Sequence, residues 1–108
     1  MNASRYHLIV YVPVTHAAKI REVLARMGAG KIGNYDSCSF SVRGTGRFRP
    51  LKGSTPFLGS EGMIEEVEEE RIEVVISSET NLSSLLTEIR KAHPYEEPAI
   101  HILPIVNE

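Results

Sequence analysis

The stretch His93-Pro94-Tyr95-Glu96-Glu97-Pro98 is the part of this 108-residue sequence that most narrows its fold. An amphipathic helical pattern precedes it and an apolar strand pattern follows it, so the stretch predicts a corner between a helix and a strand. Pro94 disfavours helical geometry at the residue before it and therefore ends the helix there. A turn bracketed by two prolines is rigid, and this one presents an imidazole, a phenol and two carboxylates together.

The elements on either side of this corner follow from simple patterns. Before it, a helix is predicted by apolar residues at helical spacing, and either Asn81 or Thr80 is the expected N-cap. After it, residues 99–106 predict the last strand. The helical stripe consists of Leu82, Leu85, Leu86 and Ile89.

A strand followed by a helix opens the chain. Residues 6–12 are rich in β-branched and aromatic side chains and end at Pro13, which predicts a strand. Thr15 is the expected N-cap of the helix, and Gly28 and Gly30 are expected to end it in the left-handed conformation. The buried stripe of this helix consists of Ile20, Val23, Leu24 and Met27.

Two further strands are predicted in the middle of the chain. In residues 35–42, Cys38 and Phe40 alternate with serines. Residues 63–77 predict the next strand, and its glutamate-rich first half breaks the alternation, which suggests either a bulge or a strand that projects beyond the sheet. Between the two strands, residues 44–62 lack periodicity and contain many Gly, Pro and Arg residues, so they predict a long loop or an elaborated hairpin.

The order strand, helix, strand, strand, helix, strand predicts an α+β fold. Two such halves with right-handed crossovers form a ferredoxin-like βαββαβ sandwich, in which a four-stranded antiparallel sheet carries both helices on one face. We expect residues 1–108 to form one domain of this kind. The first and last strands are apolar on both faces, so the uncovered face predicts self-association into a dimer or a trimer.

Composition and charge argue against several classes of protein. The apolar share of 42%, the charged share of 24% and the net charge of −2 are ordinary for a soluble protein and predict neither nucleic acid nor a membrane as a partner. The apolar stretch at residues 8–14 is too short to span a bilayer. The single cysteine, Cys38, excludes an internal disulfide and suits a reducing compartment. We therefore expect a cytoplasmic protein.

The loop at residues 44–62 is the first candidate site. Its glycines allow positive φ and close approach of the backbone, while Arg47 and Arg49 supply donors for an anion. The loop lacks the Gly-Lys-Ser/Thr of a P-loop, and Arg49 stands where a dinucleotide fingerprint has its third glycine. Two interpretations stay open: the loop wraps a neighbouring subunit, or it lines a cleft for a small anionic molecule.

The corner is the second candidate site. Imidazole and carboxylate groups suit a divalent metal ion such as zinc, copper or manganese, although their spacing matches no established metal signature. In the alternative interpretation, His93 caps the helix and Tyr95 packs against the core. The candidate metal ligands at this corner are His93, Glu96, Glu97 and His101.

No set of residues predicts catalysis. Cys38, Ser54 and Thr55 lie in no sequence context that activates a nucleophile. The acidic run at residues 65–70 is explained by a solvated strand edge, where charges deter aggregation.

Together, the loop and corner motifs resemble a known family. The motifs are Gly44-x-Gly46-x-Phe48-x-Pro50-x-x-Gly53-x-x-Pro56-Phe57-x-Gly59-x-x-Gly62, then Val67-x-Glu69-x-Arg71-Ile72-Glu73, then His93-Pro94-Tyr95-Glu96-Glu97-Pro98-Ala99. They closely resemble the domain inserted in Nif-three-like (NGG-interacting factor) proteins, over almost the whole chain. The ending, with Pro98, Ile100 and Leu103-Pro104-Ile105, is also similar to CutA, a trimeric protein linked to divalent-cation tolerance.

The resemblance implies a PII/CutA-like fold, whose members commonly form trimers with ligand clefts between subunits. The two lobes that carry the dinuclear metal site of Nif-three-like proteins have no counterpart in this sequence, so we do not expect their activity to transfer. We expect a non-catalytic, oligomeric and regulatory module that binds a small ligand or a divalent metal ion. CutA-like metal handling and a structural partner-docking role are the alternatives.

The expected ligand-binding residues come from both motifs. Arg47 and Arg49 would hold an anionic group, and Phe48 and Tyr95 would form apolar walls. His93 and Glu97 are also the expected ligands of a divalent metal ion, which is the one cofactor that the sequence suggests. The full set is Gly44, Gly46, Arg47, Phe48, Arg49, Pro50, Gly53, Pro56, Gly59, Gly62, His93, Tyr95, Glu96 and Glu97.

Overall fold

The computed structural model describes residues 4–106, so the ends of the predicted domain, at residues 1 and 108, lie outside the described range. All strand pairs are antiparallel, and the strand order in the sheet is β2-β3-β1-β4. This arrangement is the predicted ferredoxin-like fold, which is therefore confirmed. The elements are β1 (Arg5–Pro13), α1 (Val14–Arg26), β2 (Phe40–Phe48), β3 (Glu65–Ser77), α2 (Leu82–Ala92) and β4 (Ile100–Pro104).

The core lies between one face of the sheet and the two helices. Alternate residues of β1 point to this face and are fully buried, as the period of a strand requires. The apolar stripes of α1 and α2 pack against them. The largest fully buried side chains are Leu8, Val10, Val12, Ile20, Leu24, Ile72, Leu85 and Ile89.

The start of α1 differs from the prediction. The helix begins at Val14, directly after Pro13, and no side chain caps its first turn. Thr15 therefore already lies inside the helix, and its hydroxyl Oγ1 lies 2.8 Å from Nδ1 of His16. The prediction of Thr15 as the N-cap was therefore wrong, because the helix begins one residue before it. The predicted end of the helix is confirmed, because Gly28 and Gly30 both have positive φ, at 83° and 81°.

The second helix follows its local signals closely. Asn81 is the N-cap, and its side-chain oxygen accepts a hydrogen bond from the backbone N–H of Ser84 at 3.1 Å. Leu85 and Ile89 are buried as predicted, whereas Leu82 in the first turn is 37% exposed. The helix ends at Ala92, and the next residue is extended, as expected before a proline.

The second strand begins five residues later than predicted. Residues 29–39 form a loop that is tied to the sheet, because Gly30 donates its N–H to the carbonyl of Val75 and accepts one from Cys38. Cys38 thus lies outside the strand, and Phe40, its first residue, is 64% exposed. Pairing with β3 continues as far as Phe48. The first part of the predicted loop, residues 44–48, therefore belongs to β2.

The third strand has no bulge. Its pairing is continuous with β1 over residues 69–77 and with β2 over residues 65–73. The glutamate-rich half therefore projects past the end of β1 as a two-stranded extension with β2, which is the second of the two predicted alternatives. Within the sheet proper β3 is a central strand, so the interpretation of its acidic run as a sheet edge holds only for this extension.

We expected the helix-free face of the sheet to be uniformly apolar, but it carries both charged and apolar side chains. At its centre, Nε2 of His7 lies 2.7 Å from a carboxylate oxygen of Glu73, and Arg71 donates to the other oxygen at 3.2 Å. The hydrogen bond from His7, together with Arg71, lowers the pKa of Glu73. The cause is the register, which pairs apolar positions of β1 with charged positions of β3.

Neither helix in the described part of the chain is long and apolar enough to cross a membrane.

We predict that Gly30→Ala destabilises the fold far more than Gly28→Ala. Both residues have positive φ, which costs an alanine roughly 1–2 kcal/mol. A Cβ on Gly30 would also press on the backbone carbonyl of Cys38, whereas a Cβ on Gly28 meets open space. Overpacking against backbone adds about 1–3 kcal/mol. Urea unfolding of both variants measures the difference, and equal losses would contradict this account of the loop.

Candidate functional site

A cleft of about 590 Å³ lies at the end of the sheet where β2 and β3 project. Its volume is within the usual range for sites that hold small molecules. Three parts of the chain surround it: the β2–β3 extension, the loop after β2, and the corner between α2 and β4. The residues that line it are Tyr11, Gly46, Arg47, Phe48, Arg49, Pro50, Leu51, Ser54, Pro56, Phe57, Glu69, Tyr95, Glu96, Glu97 and Ala99.

The floor of the cleft belongs to the helix-free face of the sheet. Two strands contribute directly: Tyr11 on β1 and Glu69 on β3 alternate with the core-facing residues of their strands. On β2, Gly46 and Phe48 pair with residues of β3 that also alternate with its core-facing residues. Gly46 has a steric role here, because a Cβ at this position would occupy the place of the Glu69 carboxylate. The absence of a side chain on Gly46 thus lets a carboxylate lie beside the strand at the floor of the cleft.

Tyr95 is the link between the corner and this floor. Its hydroxyl donates to a carboxylate oxygen of Glu69 at 2.8 Å, and its ring meets the ring of Phe48 edge to face at a centroid distance of 5.5 Å. Burial raises the pKa of the Tyr95 phenol, and the hydrogen bond and the charge of Glu69 raise it further. The phenol is therefore a neutral donor, and it closes one side of the cleft.

His93 lies behind Tyr95 rather than in the lining. Its side chain is buried, with only 6% of the residue exposed. Nε2 lies 2.7 Å from the carbonyl oxygen of Tyr11, and Nδ1 accepts the backbone N–H of Tyr95 at 3.2 Å. A carbonyl only accepts, so the proton is on Nε2 and the ring is neutral. Burial lowers the pKa of His93, which favours the same neutral form.

The loop after β2 folds over the corner of its own chain. The backbone N–H of Thr55 donates to a carboxylate oxygen of Glu96 at 2.7 Å. Farther along, the ring of Phe57 meets the ring of His16 edge to face at 5.6 Å. The loop therefore forms a wall of a cleft within one chain. The sequence-based alternative, in which it wraps a neighbouring subunit, stays a prediction.

The two arginines of the loop motif differ in their surroundings. Arg47 donates to a carboxylate oxygen of Glu66 at 2.6 Å, and both side chains are well exposed. Arg49 is exposed and makes no side-chain hydrogen bond or ion pair with any residue in the range 4–106. Glu97 likewise has no such partner within that range. Arg49 is thus the cation of the cleft that is available to a ligand.

The structure brings together only part of the predicted ligand-binding set. Most of that set lines the cleft, whereas four of its glycines and the buried imidazole do not. Gly53, Gly59 and Gly62 have φ values of 93°, 93° and 80°, so their conformations shape the turns of the loop. The predicted residues outside the lining are Gly44, Gly53, Gly59, Gly62 and His93.

Sequence reasoning missed several residues of the cleft. Tyr11 lies on a strand that was apolar on both faces, so nothing marked it as part of a site. Glu69 lay in an acidic run that was interpreted as a solvated edge. Phe57 belonged to the loop motif. Its position between two predicted ligand-binding residues of the loop was the signal that could have identified it. The missed lining residues are Tyr11, Leu51, Ser54, Phe57, Glu69 and Ala99.

The metal site predicted at His93 and Glu97 stays a prediction. Both ring nitrogens of His93 already have hydrogen-bond partners. Among residues 4–106, no three side chains of His, Cys, Asp or Glu lie close enough together to hold a metal ion. The ring of His101, another candidate ligand, meets the ring of Tyr11 edge to face at a centroid distance of 5.8 Å.

Comparison with known proteins shows that this chain is similar in sequence to a segment of longer proteins. No family model matches this chain. Over 105 residues it is 47% identical to the "GTP cyclohydrolase 1 type 2 homolog" of Halalkalibacterium halodurans, covering 97% of this chain and 28% of the relative. The protein of the same name in Mycobacterium leprae is 45% identical over 98 residues, covering 91% and 25%. The chain thus spans about a quarter of the length of these curated relatives.

Solved structures agree with this result. A Bacillus cereus protein related to NIF3 matches with a TM-score of 0.82 and 41% identity, covering 99% of this chain and 27% of that one. The periplasmic divalent cation tolerance protein CutA from Archaeoglobus fulgidus matches with a TM-score of 0.67 and 20% identity, covering 96% and 86%. The second match establishes the CutA-like fold and nothing more. The first, with the sequence relatives, confirms the resemblance to Nif-three-like proteins, because this chain matches a segment of about a quarter of their length.

Proposed function

We propose that this chain is a non-catalytic, oligomeric binding module whose cleft takes a small ligand with a flat apolar body and an anionic group. The observation that carries the proposal is the combination of aromatic walls with an unpartnered arginine in one cleft of about 590 Å³. Sites for small molecules have this composition, with mostly apolar walls and few polar groups.

Aromatic rings supply the apolar part of the site. Phe48 and Tyr95 already meet edge to face, so both ring positions are fixed before a ligand enters. Phe57 lies in the loop that lines the cleft and is 49% exposed, so it can cover an incoming ring. Preorganised walls lower the entropy cost of binding, which favours a rigid, planar ligand.

Arg49 supplies the recognition of the anionic group. An arginine offers a planar fork of donors that suits phosphate and carboxylate groups. Arg47 lies next to it in the sequence, and its ion pair with Glu66 is exposed. Exposed pairs contribute little to stability, so Arg47 can exchange Glu66 for a ligand at small cost.

The names of the relatives do not extend this proposal to catalysis. The chain covers about a quarter of proteins named GTP cyclohydrolase 1 type 2 homolog. The described residues of the cleft offer no activated nucleophile and no metal cluster. Binding of a ligand, with a regulatory consequence for an attached or associated partner, is the role that these features support.

Self-association is the second part of the proposal. Exposed apolar side chains border the polar centre of the helix-free face, with Phe40 at 64% and Val42 at 41% exposure on β2 and Leu103 at 51% on β4. Pairing with further copies of the chain would cover these borders. A dimer and a trimer are both consistent with this arrangement.

We predict that Arg49→Ala weakens the binding of nucleoside triphosphates by about tenfold or more, because a charge-assisted hydrogen bond contributes roughly 1.5–3 kcal/mol. Calorimetric titration with ATP and GTP measures the affinity. Adenosine and tripolyphosphate, which separate the apolar body from the anion, should each bind more weakly than ATP.

The matched control for this experiment is Arg43→Ala. Arg43 is exposed on β2 and does not line the cleft. Its removal changes the net charge equally and should leave the affinity unchanged. Equal weakening by both substitutions would show that the arginines act only through net charge. An absence of saturable binding with every probe would contradict the proposed function.

We further predict that Phe40→Ser shifts the protein toward smaller species in sedimentation velocity, while Leu82→Ser does not. Leu82 is also exposed and apolar, but it lies on the helical layer. Loss of an apolar contact at a subunit interface lowers association, whereas the same change on the helical layer should not. A wild-type protein that stays monomeric at high concentration would rule out the oligomeric part of the proposal.

A further inference from the structure

Glu69 brings a charge into the cleft that the ligand-binding proposal does not use. Its side chain lies on the floor, and the carboxylate oxygen Oε2 accepts the hydroxyl of Tyr95 at 2.8 Å. No residue in the range 4–106 donates a hydrogen bond to the other oxygen, Oε1, or forms an ion pair with this carboxylate. The floor of the cleft therefore carries an acceptor that the described part of the chain leaves open.

The register of the sheet explains why this acceptor stays open. Glu69 pairs with Pro13 on β1 and with Gly44 on β2, and neither neighbour has a side chain that donates a hydrogen bond. Oε1 lies beside Gly46, in the place that a Cβ on this glycine would occupy. At this point β2 thus has no side chain that could cover or neutralise the oxygen.

We propose that Glu69 is a specificity-determining residue of the cleft, and that it selects ligands whose flat body carries an amino group. This inference rests on the proposed function, because it concerns the ligand of the same cleft. A carboxylate only accepts hydrogen bonds, so it favours a ring edge with N–H donors and repels an edge that has acceptors alone. An amino-substituted heteroaromatic ring has such a donor edge.

The order of the polar groups along β2 fits an elongated ligand of this kind. Arg49 follows Gly46 by three residues, which is roughly 10 Å along an extended chain. The open carboxylate oxygen lies beside Gly46, and the ring of Phe48 comes between this glycine and Arg49 in the sequence. A molecule with an amino-bearing ring at one end and an anionic group at the other, such as a nucleoside phosphate, matches this order.

The selection acts mainly through the cost of a mismatch. A ligand that fills the cleft removes water from Oε1, and a carboxylate oxygen without a donor is costly to bury. Sites that hydrogen-bond a group of their substrate therefore reject analogues that lack it. Because Glu69 is only half-buried, the expected preference is about tenfold, well below that of fully enclosed sites.

The first test compares nucleotides that differ only in one exocyclic amino group. ATP is paired with purine riboside triphosphate, and GTP is paired with ITP. Calorimetric titration of the wild-type protein should show about tenfold tighter binding of the amino-bearing member in at least one pair. Equal affinities within both pairs would overturn the inference and leave the proposed function standing. If none of the four nucleotides binds saturably, both fail.

The second test moves the carboxylate without changing the net charge. In Gly46→Ala, the new Cβ takes the place of the Glu69 carboxylate, and the flexible end of this side chain shifts away. Gly44→Ala is the matched control, because a Cβ there meets open space and Gly44 does not line the cleft. Neither glycine has positive φ, so alanine suits both backbones. The preference for the amino-bearing nucleotide should disappear in Gly46→Ala and persist in Gly44→Ala, and equal preferences in the two variants would contradict the role of Glu69.

The third test inverts the polarity at Oε1. In Glu69→Gln, the carboxamide oxygen accepts the hydroxyl of Tyr95, which leaves an NH₂ donor in the place of the open acceptor. The amino-bearing nucleotide should then lose its advantage. In Glu68→Gln, which changes an exposed residue outside the lining, the advantage should persist. A preference that survives in Glu69→Gln would refute the inference, and if this variant does not fold, the two glycine variants decide.

Discussion

The imidazole of His93 joins two parts of the chain that lie 82 residues apart. It fills the space where the end of β1, the end of α2 and the following corner meet, and both of its nitrogens have partners. A buried polar group in this position is costly without such bonds, and with them it specifies a single arrangement of its neighbours. The placement of Tyr95, and through it the contacts with Glu69 and Phe48, follows from this one ring.

The second constraint is the length of β3. The strand has thirteen residues, and it pairs with β1 along one part and with β2 along another. The offset leaves an extension without a helix beneath it, and this extension forms the floor of the cleft. Where β3 passes under α1, Glu70 is buried and forms an ion pair with Arg21. A buried carboxylate is tolerated there because it is paired.

Local signals in the sequence were sufficient for the fold, for the start of α2 and for the C-terminal ends of both helices, but not for the start of α1. Asn81, Gly28 and Pro94 each act on their immediate neighbours, so a pattern of a few residues predicted their effects. The order of elements then left few topologies to consider. The start of β2 was not predictable in this way, because it depends on the bonds that Gly30 makes with Val75 and Cys38. These bonds exist only after the sheet has formed.

The candidate site was predictable only where its residues lay in the two motifs. The corner and the loop were identified from their prolines, glycines and charges, and residues of both line one cleft. Glu69 lay in the quoted family motif but was not assigned to the site, and neither was Tyr11, because the roles of both residues depend on the register of β3 against its neighbours. His93 was identified as chemically distinctive, but the sequence does not distinguish a side chain that faces a ligand from one that supports such a side chain.

The loop after β2 bends back onto the corner of its own chain through the bond between Thr55 and Glu96. Every copy of the protein consequently carries all the walls described above, whatever the number of copies that assemble. Under the proposed function, occupancy of one copy then need not wait for its neighbours, and the expected stoichiometry is one guest molecule per polypeptide. Assembly is therefore not needed to create the chamber.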